Sequence, residues 1–293
     1  MQVSEAKEPV IKKVPIVGFI RYSCRLNFGR SNFNYDDLFD TRYLDYRLNI
    51  FRNVTLKSFQ EQSNKNFVIF LLHSESLPQK YKDIFKEMEQ NNHFLRNIYI
   101  SDCETKGTGY ADAFEGSMKY VDFVNGVSIS FRIDNDDAVP ADFICRLNAF
   151  LKPEYQGFAI SYPNMLIVQR VGINKYLKQE KWYVSNSIGL AYVTNAANYK
   201  VVLTLGDHGK INQKYSMLYL PEKGGLQTIN GKNVANSLDL GHVSSFDDVS
   251  LRAAMLKDGY ADFDFTCLNI QRRIVVLDVV KKVINFIKKR RWR

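Results

Sequence analysis

The sequence contains no run of about 20 apolar residues, the length that crosses a bilayer, so no membrane-spanning helix is expected. Its first residues, Met1 to Lys13, are polar and mixed in charge, without the apolar stretch of a secretory signal. Only four cysteines occur, Cys24, Cys103, Cys145 and Cys267, too scattered for a CxxC pair. With no His/Cys cluster, neither a zinc site nor a disulfide framework is indicated, and a reducing cytoplasm is expected. No GxGxxG and no P-loop spacing is present, which removes two common glycine-rich phosphate signatures.

Positive charge is in excess, but it is concentrated. The formal net charge is +9, and Gln271 to Arg293 holds nine Lys/Arg against one acid, Asp278. The remainder has 31 basic and 30 acidic residues and is close to neutral. A nucleic-acid binder would spread its basic residues over a folded face, so no nucleic-acid partner is expected. What the chain has in quantity is core material. It is 45% hydrophobic and 13% aromatic, and 293 residues suffice for one large α/β domain or one domain with an appendage.

The first half alternates strand-like and helix-like segments. Val14 to Ile20 reads as a strand and Leu48 to Gln62 as a helix, with Phe51, Val54, Leu56 and Phe59 at helical spacing. FVIFLL, Phe67 to Leu72, is a continuous apolar run suited to a buried parallel strand. Pro78 opens a helix to about Asn91, Asn97 to Ile100 is a strand, and Gly109 to Val124 a helix. Val127 to Ile133 is a fourth strand and Pro140 to Leu151 another helix. This order predicts a mainly parallel, doubly wound sheet with helices on both faces. The second half is less regular. Gly157 to Tyr162 and Met165 to Val171 read as strands joined at Pro163-Asn164, and Ile188 to Val193 as another. Residues 205 to 245 read as loops with short elements, and Asp247 to Leu256 as a helix with an acidic start. The expected division is a body over 1–270, with halves at about 14–150 and 151–270, and a tail over 271–293.

The central chemical signal is FRIDNDDAVP, Phe131 to Pro140. An apolar strand ends in Asp134-Asn135-Asp136-Asp137. In open α/β sheets, ligands bind beyond the carboxyl ends of the strands. Carboxylates there suit Mg²⁺ or Mn²⁺, hard ions that bridge to substrate phosphates. The competing reading is an acidic turn that caps the next helix. Arg132, inside the strand, needs an acidic partner or reaches a phosphate.

Arg132-Ile133-Asp134-Asn135-Asp136-Asp137-Ala138, with Pro140, Asp142, Phe143 and Ile144, resembles the metal-site block of the rhamnosyltransferase family, which belongs with the GT-A glycosyltransferases. Phe19 to Ser23, Arg52 to Gln62 with FVIFLLHSES and Leu77-Pro78, and Leu226 to Asn233 are also similar to family segments. The last often carries histidine near Asn230, where this chain departs from the pattern. The resemblance spans roughly 14 to 240. It implies a GT-A fold, a nucleotide-sugar donor and a glycan acceptor, with Asp136 as principal metal ligand. Asp134 would face the ribose or metal, and Asp137 would support. It places Arg21, Tyr22 and Ser23 at the base and ribose, with Tyr22 either stacking on a base or lying in the core. It also implies a histidine ligand, His208 or His242, of which His208 is preferred because Asp207 and Gly209 flank it.

Other candidates rest on chemistry alone. His73 and Ser74 end the second strand, as a base contact or a satisfied histidine. Lys106, in Lys106-Gly107-Thr108-Gly109-Tyr110 before a helix, could meet phosphate. An inverting transfer needs a carboxylate base, for which Asp207, Asp239, Asp247 and Asp248 stand open. In the tail, Val276, Val279, Val280, Val283 and Ile287 share one helical face and Lys281, Lys282, Lys288 and Lys289 the other. Such a helix either lies on an anionic membrane or packs its valines on the body. The first reading puts the enzyme at the inner face of the cytoplasmic membrane, beside lipid-linked acceptors. The rival functions are a nucleotidyltransferase and a noncatalytic carbohydrate-binding or assembly protein.

Overall fold

The computed structural model describes residues 12–24, 38–102, 110–184, 186–230, 238 and 243–270. The expected tail helix, Lys106, Asp239 and His242 lie outside these residues.

Strand β1 (Ile16–Ser23) leads to α1 (Thr41–Ile50), whose N-cap Asp40 accepts a hydrogen bond from the Tyr43 N–H at 3.0 Å. The helix continues through a π-turn, Phe51–Leu56, into α2 (Lys57–Gln60). There follow β2 (Phe67–Ser74), α3 (Gln79–Asn91), β3 (Leu95–Ile100), α4 (Ala111–Met118), β4 (Val127–Asp134) and α5 (Phe143–Asn148). The strands β1 to β4 are parallel in the order 3-2-1-4. Successive β-α units wind outward from β1 to β3, and the next strand then docks on the other side of β1. The gap between the carboxyl ends of β1 and β4 is therefore a topological switch point, where open α/β sheets form their ligand crevice.

The second half completes this sheet and builds another. β5 (Phe158–Ser161), β8 (Leu190–Asn195) and β9 (Ser216–Tyr219) extend it to 3-2-1-4-8-5-9. β8 runs antiparallel to β4 and β5, and β9 parallel to β5. The central sheet is thus mixed and mostly parallel, as the alternating first half predicts, with β8 as its antiparallel member. β6 (Asn164–Gly172), β7 (Lys175–Trp182), β10 (Lys223–Ile229) and β11 (Ser244–Phe246) form a second sheet ordered 10-6-7-11, beside α6 (Asp248–Lys257). Pro163-Asn164 joins the two strands as expected, and there the chain passes from one sheet to the other.

Burial follows the pleat. Ile16, Ile20, Ile69, Leu71, Ile129, Phe131 and Ile133 pack on one face with Leu44 and Leu48 of α1, Tyr81 and Phe85 of α3 and Phe143 of α5. Val17, Phe19, Val68, Phe70 and Leu72 pack on the other with Ala113 of α4 and the 3-10 segment Val202–Leu205. A third cluster joins Leu166, Val168 and Leu226 of the second sheet to Leu251 and Met255 of α6 and to Ile50 and Val54. The π-turn widens the first helix where it meets two clusters at once: Phe51 and Leu56 enter the first, Ile50 and Val54 the third.

Candidate active site

The ladder register builds the site. Arg21 of β1 stands opposite Asp134 of β4, at the ends of adjacent parallel strands. Arg21 Nη2 donates to Asp134 Oδ1 at 3.1 Å, and Arg132 Nη2 lies 3.6 Å from the same oxygen. Arg132 and Asp134 are two residues apart on one strand and so point from the same face. The Tyr110 hydroxyl, at the start of α4, accepts from Arg21 Nη1 at 3.5 Å. Burial opposes charge on Asp134, but the two guanidiniums more than offset this and hold its carboxyl at about 2. Burial and Arg21 together push the Arg132 guanidinium down from its ordinary value. Half-buried Arg21 and buried Arg132 thus both lie against one Asp134 oxygen.

The rest of the acidic loop is held from the second sheet. Ala138 and Leu226 exchange backbone hydrogen bonds at 2.9 and 2.8 Å, which docks β10 against the loop. The Thr228 hydroxyl then donates to the Asp136 carbonyl at 2.6 Å, and its N–H to Asp137 Oδ1 at 3.3 Å. Asn230 Nδ2 donates to Asp136 Oδ2 at 2.8 Å, and Tyr46 of α1 donates to the Asn230 carbonyl at 3.1 Å. Arg47 of α1 donates to Asn135 Oδ1, with its guanidinium carbon 5.3 Å from the ring centres of both Tyr22 and Tyr43. Beyond the loop, Gln62 donates to the Pro140 carbonyl at 2.7 Å and accepts from the Ile144 N–H at 3.0 Å, so α5 starts from a fixed point.

Burial, and then the charge of Asp134, raise the Asp136 carboxyl; Arg47 and Asn230 partly oppose this. Burial, Asp136 and Asp134 raise Asp137 well above the carboxylate range. Crowded carboxyls at a strand end suit a divalent cation, which would relieve the repulsion that lifts them. Among the described residues no group of three or more His, Cys, Asp or Glu forms a ready-made metal cage. Mg²⁺-type sites need none: one or two carboxylates suffice when substrate phosphates and water complete the shell.

His208 begins the 3-10 segment His208–Gln213, and Asp207 caps it by accepting from the Gly209 N–H at 3.0 Å. Its Nδ1 lies 3.8 Å from Asp207 Oδ1. Burial, then the charge of Arg132, lowers the imidazole below its ordinary value, and Asp134 acts on it in the opposite direction. His208 therefore stands within electrostatic reach of the Arg132–Asp134 pair and is neutral near pH 7.

Two expected ligand contacts lie elsewhere. His73 has no exposed surface; Nε2 is 3.0 Å from Asn97 Oδ1, and the ring stacks on Tyr99 and packs on Phe85. Tyr22 is 1% exposed, donates to the Leu44 carbonyl at 3.0 Å and meets Phe85 edge-on. Neither ring is open to a base, so both are core residues. Ser23 is buried at the end of β1, after a register shift between Arg21 and Ser23 along β2. Of the possible bases, Asp247 caps α6 through the Ser250 N–H at 2.7 Å and Asp248 pairs with Arg252 at 3.1 Å. The sequence reading did not include Arg47 or Thr228 as site residues.

An acidic loop and two guanidiniums against one of its carboxylates therefore meet at the switch point between β1 and β4, with His208 within electrostatic reach. The chain belongs to the family described as "Putative rhamnosyl transferase", whose model matches residues 16–241. No curated protein matches it. Among solved structures it is similar to S. aureus TarS 1–349 in complex with UDP, at 11% identity and a TM-score of 0.37, covering 74% of this chain and 61% of that one. It is also similar to the mannosyltransferase PcManGT from Pyrobaculum calidifontis in complex with GDP-Man and Mn2+, at 12% identity and a TM-score of 0.40, covering 75% and 59%. A third is the inositol-1-phosphate CTP transferase from T. maritima, at 11% identity and a TM-score of 0.32, covering 76% and 92%. The chain thus spans less than two thirds of the TarS and PcManGT chains it matches.

Proposed function

We propose that the chain is a metal-dependent glycosyltransferase of the GT-A type, moving a sugar, rhamnosyl by its family, from a nucleotide-sugar donor to a glycan acceptor in surface polysaccharide synthesis. The observation that carries this reading is the position of the Asp134–Asp137 loop. It sits at the switch point between β1 and β4, with Arg21 and Arg132 beside it.

Asp136 and Asp137 would hold Mn²⁺ or Mg²⁺, which when bound neutralises charge on a leaving diphosphate. The chain's own residues do the rest. Arg132 and Arg21, both against Asp134 Oδ1, would meet phosphate oxygens beside the loop. Asn230 and Thr228 fix the Asp136 side chain and carbonyl in place before substrate arrives. His208 presents a neutral imidazole from the α4 side of the sheet, as a further ligand or hydrogen-bond partner. Asp207, beside it, is our base candidate; Asp247 and Asp248 bond within α6, and Asp239 lies outside the described residues.

The test is a screen of UDP-, GDP-, dTDP- and CMP-sugars with Mn²⁺ or Mg²⁺ and no added acceptor. Release of the nucleotide moiety with free sugar from at least one donor is expected. Turnover of a nucleoside triphosphate plus sugar phosphate with pyrophosphate release would instead make the chain a nucleotidyltransferase.

A further inference from the structure

The two most exposed large aliphatic side chains among the described residues stand close together. Ile173 is 82% exposed and Val249 76%. Ile173 occupies the tip of the β6–β7 hairpin, inside the Gly172–Lys175 pair, where turn geometry favours glycine, asparagine or aspartate over a branched aliphatic. Val249 lies in the first turn of α6, and the preceding Asp248 N–H donates to Asn174 Oδ1 at 2.7 Å. That bond keeps the Cα atoms of Ile173 and Val249 within about 15 Å of each other. Val249, Ala253 and Leu256 then fall on one stripe of α6, and all three are exposed.

The hairpin tip is tied both to the last described segment and to the candidate site. Arg170 donates to the carbonyls of Gly172 at 3.3 Å and Ile173 at 3.1 Å, and to those of Thr266 and Leu268, the latter at 3.1 Å. The next residue, Asn269, donates its N–H to the Tyr46 hydroxyl at 3.2 Å. Tyr46 donates in turn to the Asn230 carbonyl, and Asn230 donates to Asp136. The ladder agrees. Ile229 pairs with Gln169 on parallel strands, so Asn230 and Ile173 leave the second sheet at the same end. Ile173 is four strand steps past Gln169, at most about 13 Å. Two residues after Asn269 begins the stretch 271–293, with its nine Lys/Arg against one acid.

We propose that Ile173 and Val249 insert into the surface of an anionic bilayer and so hold the Asp134–Asp137 loop beside it. This deepens the transferase reading, in which the acceptor would then be lipid-borne, and rests on it for that step. The occupant follows from continuity and charge. Aliphatic side chains at a hairpin tip gain by leaving water for the acyl boundary, and the basic stretch that starts beside them is drawn to anionic headgroups. The acids nearest the turn are engaged: Asp247 caps α6 through Ser250, and Asp248, Asp262 and Asp264 gather on Arg252. Lys175 stands exposed next to the tip. Two side chains bury little area, so they orient a chain that the basic stretch attracts.

The test is flotation of the full chain with vesicles of phosphatidylcholine alone or mixed with phosphatidylglycerol. The wild type should float with the mixed vesicles, and I173N/V249N should partition roughly tenfold less at an unchanged melting temperature. I173L/V249L, which keeps the apolar surface, should match the wild type. With mixed vesicles carrying bromine on their acyl chains, the fluorescence of I173W should be quenched more than that of the wild type. Equal flotation of the wild type and I173N/V249N, no flotation of the wild type, or no added quenching in I173W overturns the contact. So does a concentration-dependent dimer that I173N/V249N loses while it still floats, since the tip would then meet a second copy. A wild-type chain that hydrolyses no nucleotide sugar, yet floats in a tip-dependent way, keeps the membrane contact and removes the transferase reading.

Discussion

Half-buried Asp134 and the buried Asp137 and His73 have three different consequences for stability. The Asp134 carboxyl titrates at about 2 in the fold, against about 3.9 when unfolded. Its contribution is present above the unfolded value and fades as pH falls toward 2, and its partial exposure tempers it. His73 acts over a higher window. Burial lowers its imidazole to about 3, against about 6.5 unfolded, so only the unfolded chain binds the proton between those values. Stability should fall as pH drops from about 6.5, by at most about 1.4 kcal/mol per unit from this one group. Urea unfolding of H73L should show a flatter slope between pH 6 and 4; a slope equal to wild type would remove this role. Asp137 has the opposite sign, because burial and its acidic neighbours raise its carboxyl. In the metal-free protein at pH 7, D137N should raise the melting temperature, since an amide keeps the acceptor for the Thr228 N–H and drops the repelled charge. A fall would show that the carboxylate is already compensated. Of these residues only the acidic loop was legible in the sequence, because its carboxylates end an apolar strand. Polar His73 on a buried strand reads the same whether its side chain faces ligand or core.

Among the elements, β10 and the segment leading into β8 position the loop. Gly189 has φ of +70°, and a Cβ there would come within 2.8 Å of the Phe143 ring. G189A should therefore cost roughly 1–3 kcal/mol through strain and overpacking, measured by denaturant unfolding. An unchanged midpoint would mean that the segment repacks freely. T228V removes the hydroxyl bond to the Asp136 carbonyl and should cost about 1 kcal/mol. The strands of the first half were legible because they are apolar and separated by helical periodicity. Three strands of the second sheet, β7, β10 and β11, were not. Lys175–Trp182 reads as a polar segment because it has only one buried aliphatic or aromatic side chain, Tyr176, and its register is set by β6. Lys223–Ile229 carries two adjacent glycines, which read as loop. Those glycines admit close contact, since a Cβ at Gly224 would overlap the Tyr162 side chain at 1.8 Å. Arg47 was invisible for another reason: it reaches Asn135 across 88 residues of sequence, and only the folded helix brings it there.

For the whole molecule, two halves of unequal regularity converge on one edge. The parallel half supplies Arg21, Arg132 and the acidic loop. The second half supplies Thr228, Asn230 and His208. No helix among the described residues is long and apolar enough to cross a membrane. The basic pattern over 271–293 supports attachment to an anionic surface, and deleting it should abolish flotation with anionic vesicles. Equal flotation of both forms would refute that role.

The central claim, a cation and diphosphate held at the Asp134–Asp137 loop, is tested most directly by thermal unfolding of wild type and D136A with Mn²⁺ and each of UDP, GDP and dTDP. Metal and one nucleotide together should raise the wild-type melting temperature by several degrees, more than either alone, and D136A should lose that rise. The same rise in D136A, or no rise in the wild type with any of the three, would contradict the account.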